Sequence, residues 1–140
     1  MSEKLDHIGI VVSNIDEALK LYSNMLGLTP WKSGIVSIPQ DGLKMVLLPL
    51  SNCFLELIEP IGKEGKFAEF LSQRGEGIFH YSIYTEDFDG KVKELKEKGY
   101  SLQHQDVQVP FPPNRIRLAW LAPKDTRGIW IELIDAPTQL

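Results

Sequence analysis

Two histidines and two glutamates lie at matching positions in two similar halves of the chain. His7 and His80 are 73 positions apart, and Glu56 and Glu132 are 76 apart. Each lies in a mainly apolar, strand-like segment, where an isolated buried charge would cost several kcal/mol. Two imidazoles and two carboxylates that converge would suit one divalent ion such as Zn, Co, Ni or Mn. We therefore predict a metal site formed by His7, Glu56, His80 and Glu132.

The prediction depends on an internal repeat, because each residue taken singly would more often be an ordinary core or surface residue. Residues 5–16 resemble residues 78–89, and residues 44–49 resemble residues 118–123. Residues 55–60 resemble residues 131–135. The small drift in offset needs only short loop insertions, so the chain is interpreted as a duplication.

Each half is predicted to contain one strand, one helix and then three strands. The first helix has an apolar face and ends at Gly27, and the second has a similar face and ends at Gly99. The apolar face of the first helix comprises Ile15, Ala18, Leu19 and Tyr22, and its candidate N-cap is Ser13 or Asn14. The apolar face of the second helix comprises Phe88, Val92 and Leu95, and its candidate N-cap is Asp87.

The expected organisation is a single domain over residues 1–140, built from βαβββ modules at 4–62 and 77–136. A linking helix (Lys63–Gln73) and a glycine hinge fill residues 63–76, and the prolines within Gln105–Asn114 predict a loop. Modules of this size bury too little surface to fold alone, so they should pack together. The fold class is therefore α+β, with two tandem modules forming a curved mixed sheet around a metal cleft.

Composition excludes several classes of function. The net charge of −4 and the lack of basic runs argue against nucleic-acid binding, and no apolar run is long enough for a membrane span. Cys53 is the single cysteine, which fits a reducing cytoplasm. Residues 1–4 lead into a strand-like segment, so we expect no signal peptide. The third histidine, His104, lies among polar residues and is expected at the surface.

Several motifs resemble the vicinal oxygen chelate (glyoxalase/bleomycin resistance/dioxygenase) superfamily. The sequence LDHIGIVV at 5–12 and the segments 18–22 and 26–28 carry this resemblance. Segments 54–60, 74–80, 121–125 and 128–133 are similar to those of the methylmalonyl-CoA epimerases in particular. The resemblance covers nearly the whole chain and implies the paired βαβββ fold.

The resemblance also implies a site and a chemistry. The family's metal ligands fall on His7, Glu56, His80 and Glu132, and the metal would stabilise an enediolate-like intermediate as a Lewis acid. Glu132 would also be a catalytic base. The second epimerase base falls on Gln40, whose amide cannot exchange a proton near neutral pH; strand alternation would point Asp41 to the other face.

Three functions remain open at this stage. The first is a methylmalonyl-CoA epimerase-like enzyme, in which Lys124, Arg127 and Arg115 would contact an acyl-CoA thioester. The second is a glyoxalase I-type lactoylglutathione lyase acting on a glutathione adduct, for which one carboxylate suffices. The third is a non-catalytic, drug-sequestering binding protein, which is disfavoured because all four metal ligands are retained. An iron-dependent dioxygenase is also disfavoured, because it would use only three protein ligands. A cytoplasmic homodimer is expected.

Overall fold

The computed structural model describes residues 3–138, which form eight strands and four helices. In chain order these are β1 (Glu3–Val11), α1 (Ile15–Leu26), β2 (Val36–Ile38), β3 (Leu43–Pro49), β4 (Phe54–Pro60), α2 (Lys66–Arg74), β5 (Gly77–Thr85), α3 (Phe88–Glu97), β6 (Gln103–Gln108), β7 (Arg115–Leu121), α4 (Pro123–Thr126) and β8 (Trp130–Ile134). Leaving aside the short α4, the order βαβββ occurs twice, with α2 between the two copies. The predicted α+β fold class is confirmed.

The described chain divides into two compact units. One comprises residues 8–79, and the other comprises residues 3–7 together with residues 80–138. Both β1 and β5 cross this division, because their first residues and last residues fall in different units. The predicted domain boundaries therefore stay a prediction.

In the unit of residues 8–79, α1 packs on one face of a sheet with the strand order β2-β3-β4-β1. The core comprises Val12, Ile15, Val46, Leu48 and Leu57. Of the two predicted caps, Asn14 is the one that accepts the Glu17 N–H at 3.0 Å. The left-handed Gly27 ends the helix as predicted, a conformation that glycine adopts without steric cost.

In the unit of residues 3–7 and 80–138, the strand order is β1-β5-β8-β7-β6. The β5/β8 pair is parallel, whereas β8/β7 and β7/β6 are antiparallel. Phe88 and Val92 of α3 pack against Ala119 and Leu133 on one face of the sheet. Because side chains alternate along a strand, His80, Ser82 and Glu132 lie on the opposite face.

Two local predictions are wrong. The loop predicted over Gln105–Asn114 was given too early a start, because β6 continues to Gln108 and pairs in register with β7. The polar composition of β6 gave no strand pattern, although it is an edge strand. The alternation argument for Asp41 also fails, because Pro39–Asp41 is a 3-10 turn rather than strand. Proline suits the first position of a helical turn, where no backbone donor is needed.

Within residues 3–138, no helix is both long and apolar enough to cross a membrane. The expectation about a signal peptide falls partly on Met1 and Ser2, which lie outside the described residues.

Candidate metal centre

Strand register brings the predicted ligands His80 and Glu132 close together. On the parallel strands β5 and β8, Ser82 pairs with Glu132 and His80 pairs with Trp130. Paired residues project to the same face of a sheet, so the two ligands share a face two positions apart. His7 lies on β1, the strand next to β5. Three of the four predicted ligands are therefore on adjacent strands of one unit.

The three ligand side chains are buried and converge through single atoms. The Nε2 atoms of His7 and His80 are 3.2 Å apart. Glu132 Oε1 lies 3.4 Å from the first nitrogen and 3.8 Å from the second. The exposed fractions are 8% for His7, 1% for His80 and 6% for Glu132. This cluster is a site that could hold a metal ion.

The spacing of these atoms fits a first-row divalent ion. Ligands about 2.1 Å from one cation are about 3.0 Å apart at right angles and about 3.4 Å apart at the tetrahedral angle. The separations of 3.2 and 3.4 Å fall within this range and that of 3.8 Å lies above it, and the point in the plane of the three atoms that is equidistant from them lies about 2.0 Å from each. The mixed nitrogen and oxygen donors also suit a borderline ion such as zinc.

Ser82 holds the Glu132 carboxylate in place. Its hydroxyl donates a hydrogen bond of 2.7 Å to Oε1, and Ser82 is completely buried. Burial raises the pKa of the Glu132 carboxyl, but the hydrogen bond from His7, the charges of His80 and His7 and the Ser82 bond outweigh it. The net pKa lies below the usual range, so Glu132 is an anion and a proton acceptor at neutral pH.

Asp6 holds the other side of His7. Its Oδ2 is 2.7 Å from His7 Nδ1, and Thr138 donates to Asp6 through both its backbone N–H and its hydroxyl at 2.7 Å each. Burial raises the pKa of Asp6, but the contacts with His7 and Thr138 bring it below its ordinary value. Carboxylate partners of ligand histidines commonly fix the ring tautomer and orientation in metal sites.

Sequence reasoning missed Asp6, Ser82 and Thr138. Ser82 could have been found, because it follows His80 by two positions and therefore shares its face of the strand. Asp6 is next to His7, but adjacent strand residues ordinarily face opposite sides, which hid the contact. Thr138 lies beyond the repeat and carried no signal.

Aromatic side chains form a wall beside the histidines. The Trp120 ring is 5.0 Å from the His80 ring and 6.0 Å from Trp130, in edge-to-face arrangements. The Trp120 indole N–H donates to the Gln105 side chain at 2.7 Å. Trp120 is buried, whereas Trp130 is half-buried. The wall shields the His80 ring, which is only 1% exposed, from water.

Glu56, the fourth predicted ligand, lies in the unit of residues 8–79. It is 9% exposed and pairs in register with Leu47 on β3. Its neighbours Leu55 and Leu57 pack toward α1, so Glu56 projects from the opposite face. Glu132 has the same relation to α3 in its own unit. The role of Glu56 as a ligand stays a prediction.

The remaining predicted site residues are on the surface. Gln40 is exposed within its 3-10 turn. Lys124 and Arg127 are exposed, at α4 and at its left-handed C-cap. Arg115 forms a two-bonded ion pair with Asp106 in which both side chains are exposed. A substrate phosphate would have to compete with Asp106 for that guanidinium.

Comparison with known proteins identifies the family. Residues 6–117 match the model of the glyoxalase/bleomycin resistance protein/dioxygenase superfamily. The chain belongs to this superfamily. The resemblance noted in the sequence is thereby confirmed, and His7, His80 and Glu132 form the candidate metal centre of a member of this superfamily.

Named relatives within the superfamily are epimerases. The mitochondrial methylmalonyl-CoA epimerase of Homo sapiens is 29% identical over 134 residues, which are 95% of this chain and 74% of the human protein. The crystal structure of methylmalonyl-CoA epimerase from Mycobacterium tuberculosis is 29% identical, with a TM-score of 0.83 over 97% of this chain and 89% of that one. Since these relatives are isomerases, the prediction that the chain is an enzyme is confirmed.

A further structure shares the fold. A methylmalonyl-CoA epimerase in complex with methylmalonyl-CoA and NH4+ is 24% identical, with a TM-score of 0.82 over 96% of this chain and 94% of that one. At this identity the likeness concerns the fold alone.

Proposed function

We propose that the protein is a divalent-metal-dependent isomerase of the methylmalonyl-CoA epimerase type. The observation that carries the proposal is the triangle formed by two imidazole nitrogens and one carboxylate oxygen, spaced for a single cation. It occurs in a chain whose named relatives are epimerases.

The proposed cofactor is one Zn, Co, Ni or Mn ion held by His7, His80 and Glu132, with Glu56 as the fourth ligand. When bound, such an ion would act as a Lewis acid toward neighbouring substrate oxygens. Glu56 is supported by its place on the face of its sheet opposite α1, as Glu132 is placed relative to α3. Its burial as a carboxylate also requires compensation.

Glu132 is the proposed base. Among the described residues, its hydrogen bonds and ion pairs all use Oε1, which leaves Oε2 for the α-proton of the substrate. Its lowered pKa keeps it ionised at neutral pH. Ser82 and His7 fix the carboxylate, so proton abstraction would need no rearrangement of the base.

Gln40 is the proposed counterpart of the second base on the other face of the α-carbon. A neutral amide can orient or bind the substrate but cannot take up and return a proton. Proton exchange should therefore be one-sided, unless Asp41 takes the role in the 3-10 turn that both residues share.

The proposed substrate is an acyl-CoA thioester, with Lys124, Arg127 and Arg115 meeting its phosphates. Lys124 and Arg127 are three positions apart on one helical turn and its C-cap. Two positively charged side chains therefore lie close together on the surface, where they could meet the phosphates. We further propose a cytoplasmic homodimer. Leu5 and Tyr81 are apolar side chains that are 37% and 41% exposed, and each is a candidate contact for that second copy.

A glyoxalase I-type lyase is the second candidate, and Gln40 is the observation that favours it. Moving a proton between adjacent carbons can be done with one carboxylate, which Glu132 supplies. A non-catalytic binding protein is the third candidate, in which the cluster would serve only structure.

The test is a parallel assay of one protein preparation. The protein is stripped with chelator, reloaded separately with Zn, Co, Ni or Mn, and offered methylmalonyl-CoA or the methylglyoxal–glutathione adduct. We expect deuterium exchange at the α-carbon of methylmalonyl-CoA only in metal-loaded protein, and none for Glu132→Gln. The matched control is His104→Ala, which changes an exposed histidine elsewhere in the same unit.

Three results would decide among the candidates. Turnover of the glutathione adduct alone would replace the epimerase proposal with the lyase. Metal binding with neither reaction would favour the binding protein. A melting temperature unchanged by verified metal removal would contradict the metal site, because a ligand that binds only native protein stabilises it, by about 2.7 kcal/mol at 100 times its Kd.

A further inference from the structure

We propose that Thr138, acting through Asp6, sets the tautomer and orientation of His7, so that a residue outside the repeated modules determines metal affinity. Asp6 and Thr138 are positioning residues here, since neither belongs to the cluster of converging ligand atoms. The inference rests on the metal site of the proposed function, but its test needs no substrate.

The contacts form a chain from Thr138 to the cluster. Thr138 donates its N–H to Asp6 Oδ1 and its hydroxyl to Asp6 Oδ2, both at 2.7 Å. Asp6 Oδ2 is in turn 2.7 Å from His7 Nδ1, and Asp6 is only 4% exposed. Two donors from a single residue fix both carboxylate oxygens, so Asp6 cannot rotate without losing at least one hydrogen bond.

This arrangement determines which nitrogen of His7 carries its proton. A carboxylate only accepts hydrogen bonds, so Nδ1 of His7 carries the proton. In the neutral ring, Nε2 is then left with its lone pair directed at the cluster, and His80 Nε2, 3.2 Å away, is the donor to it. The ion pair between His7 Nε2 and Glu132 Oε1 belongs to the protonated ring. The ring is thus held ready for a metal at Nε2.

Asp6 also accounts for a geometric oddity of β1. Adjacent strand residues point to opposite faces, yet Asp6 and His7 are hydrogen-bonded to each other. The contact with Thr138 supplies the reason, because it holds the Asp6 side chain where His7 can reach it.

The experiment uses a graded series at position 138 in the full chain. Thr138→Ser keeps both donors, Thr138→Val keeps only the backbone donor, and Thr138→Pro keeps neither. Asp6→Asn removes the carboxylate itself. For each variant, zinc affinity is measured by competition with a chromophoric chelator. The His7 tautomer is measured in cation-free protein by long-range 1H–15N spectra at about pH 8, above the ordinary histidine pKa.

We expect Asp6→Asn to weaken zinc binding by about 10–100-fold. Thr138→Pro should approach that loss, Thr138→Val should lose about 3–10-fold as one of two donors goes, and Thr138→Ser should match the unaltered protein. The Nδ1–H signature of His7 should decline in the same order. A structural role alone would lower the melting temperature without changing the tautomer.

Two results would overturn the inference. One is a folded Asp6→Asn variant with unchanged zinc affinity and unchanged tautomer. The other is a Thr138→Ser variant as impaired as Thr138→Pro. If the unaltered protein bound no metal, the proposed function would fail, and the tautomer series alone would decide this inference. Absence of epimerase activity with a graded zinc affinity would contradict the reaction and support the positioning role.

Discussion

Replacing Ser82 by alanine isolates one hydrogen bond in the candidate metal centre. Ser82 is completely buried, and its hydroxyl donates to Glu132 Oε1 at 2.7 Å from the adjacent position on β5. The substitution removes a single oxygen atom and leaves the strand pairing intact. Glu132 then remains buried with fewer donors to stabilise its charge.

The expected cost follows from the nature of this bond. Hydrogen bonds to charged groups contribute about 1.5–3 kcal/mol, more than the 0.5–1.5 kcal/mol typical of neutral pairs. Glu132 Oε1 retains both neighbouring imidazoles, with His7 Nε2 at 3.4 Å and His80 Nε2 at 3.8 Å, so its charge is only partly uncompensated. We therefore expect the free energy of unfolding of the cation-free protein to fall by about 2 kcal/mol.

The assay is urea unfolding of chelator-treated protein, with Ser101→Ala as the matched control. Ser101 is exposed, so its replacement should change the free energy of unfolding by less than about 0.5 kcal/mol. A double-mutant cycle with Glu132→Gln should give a coupling of about 1–2 kcal/mol, because the charge-assisted part of the bond is lost in either single variant. Additivity within about 0.5 kcal/mol would refute the reasoning.

Two further predictions concern the other unit. Glu59 accepts the Ile15 N–H at the start of α1 and pairs with Lys44, both at 2.9 Å. Burial raises the pKa of Glu59, but these contacts bring it below the usual value. The stabilisation is therefore present above the unfolded pKa, about 4.3, and is lost as pH falls through the folded pKa. Glu59→Gln should cost about 1 kcal/mol at neutral pH and progressively less as the pH is lowered below about 4.3 in urea unfolding. A cost that does not change with pH would show that the Glu59 charge is not responsible. Gln40→Glu should raise the rate of inversion of methylmalonyl-CoA, measured by chiral analysis, by about 10²–10⁴-fold. The control Gln40→Ala should leave that rate unchanged. Rapid inversion by the unaltered protein would contradict the argument that Glu132 is the only base.

The internal repeat is why much of the fold could be predicted. Equivalent segments fold alike, so His7 and His80 could be assigned to corresponding strands without knowledge of their contacts. The alternation of side chains along β8 then placed Glu132 on one face. The helix faces and the Asn14 cap followed from local periodicity and capping chemistry, which depend on a few neighbouring residues.

Other features depend on contacts that no local pattern encodes. The Asp6–Thr138 hydrogen bonds join residues 132 positions apart, and only tertiary structure brings them together. Strand β6 contains five polar residues in six, so its pairing with β7 decided its conformation. The turn at Pro39–Asp41 was predicted as strand by analogy with the corresponding epimerase motif. The Gly42 N–H instead donates to the Pro39 carbonyl and closes a local turn.

The spacing of the site along the chain has a consequence for the order of assembly. His7 and His80 are 73 positions apart, and Asp6 and Thr138 are 132 apart. For the separation of 132 positions, the length-dependent part of the entropic cost of loop closure is about 4 kcal/mol. Local strand pairs such as β7 with β8 should therefore form first. The cluster that includes Glu132 is then completed only when the two distant segments of the unit have met. Capture of a cation during refolding would accordingly mark the closing of this long loop, rather than the formation of the strands that bear the ligands.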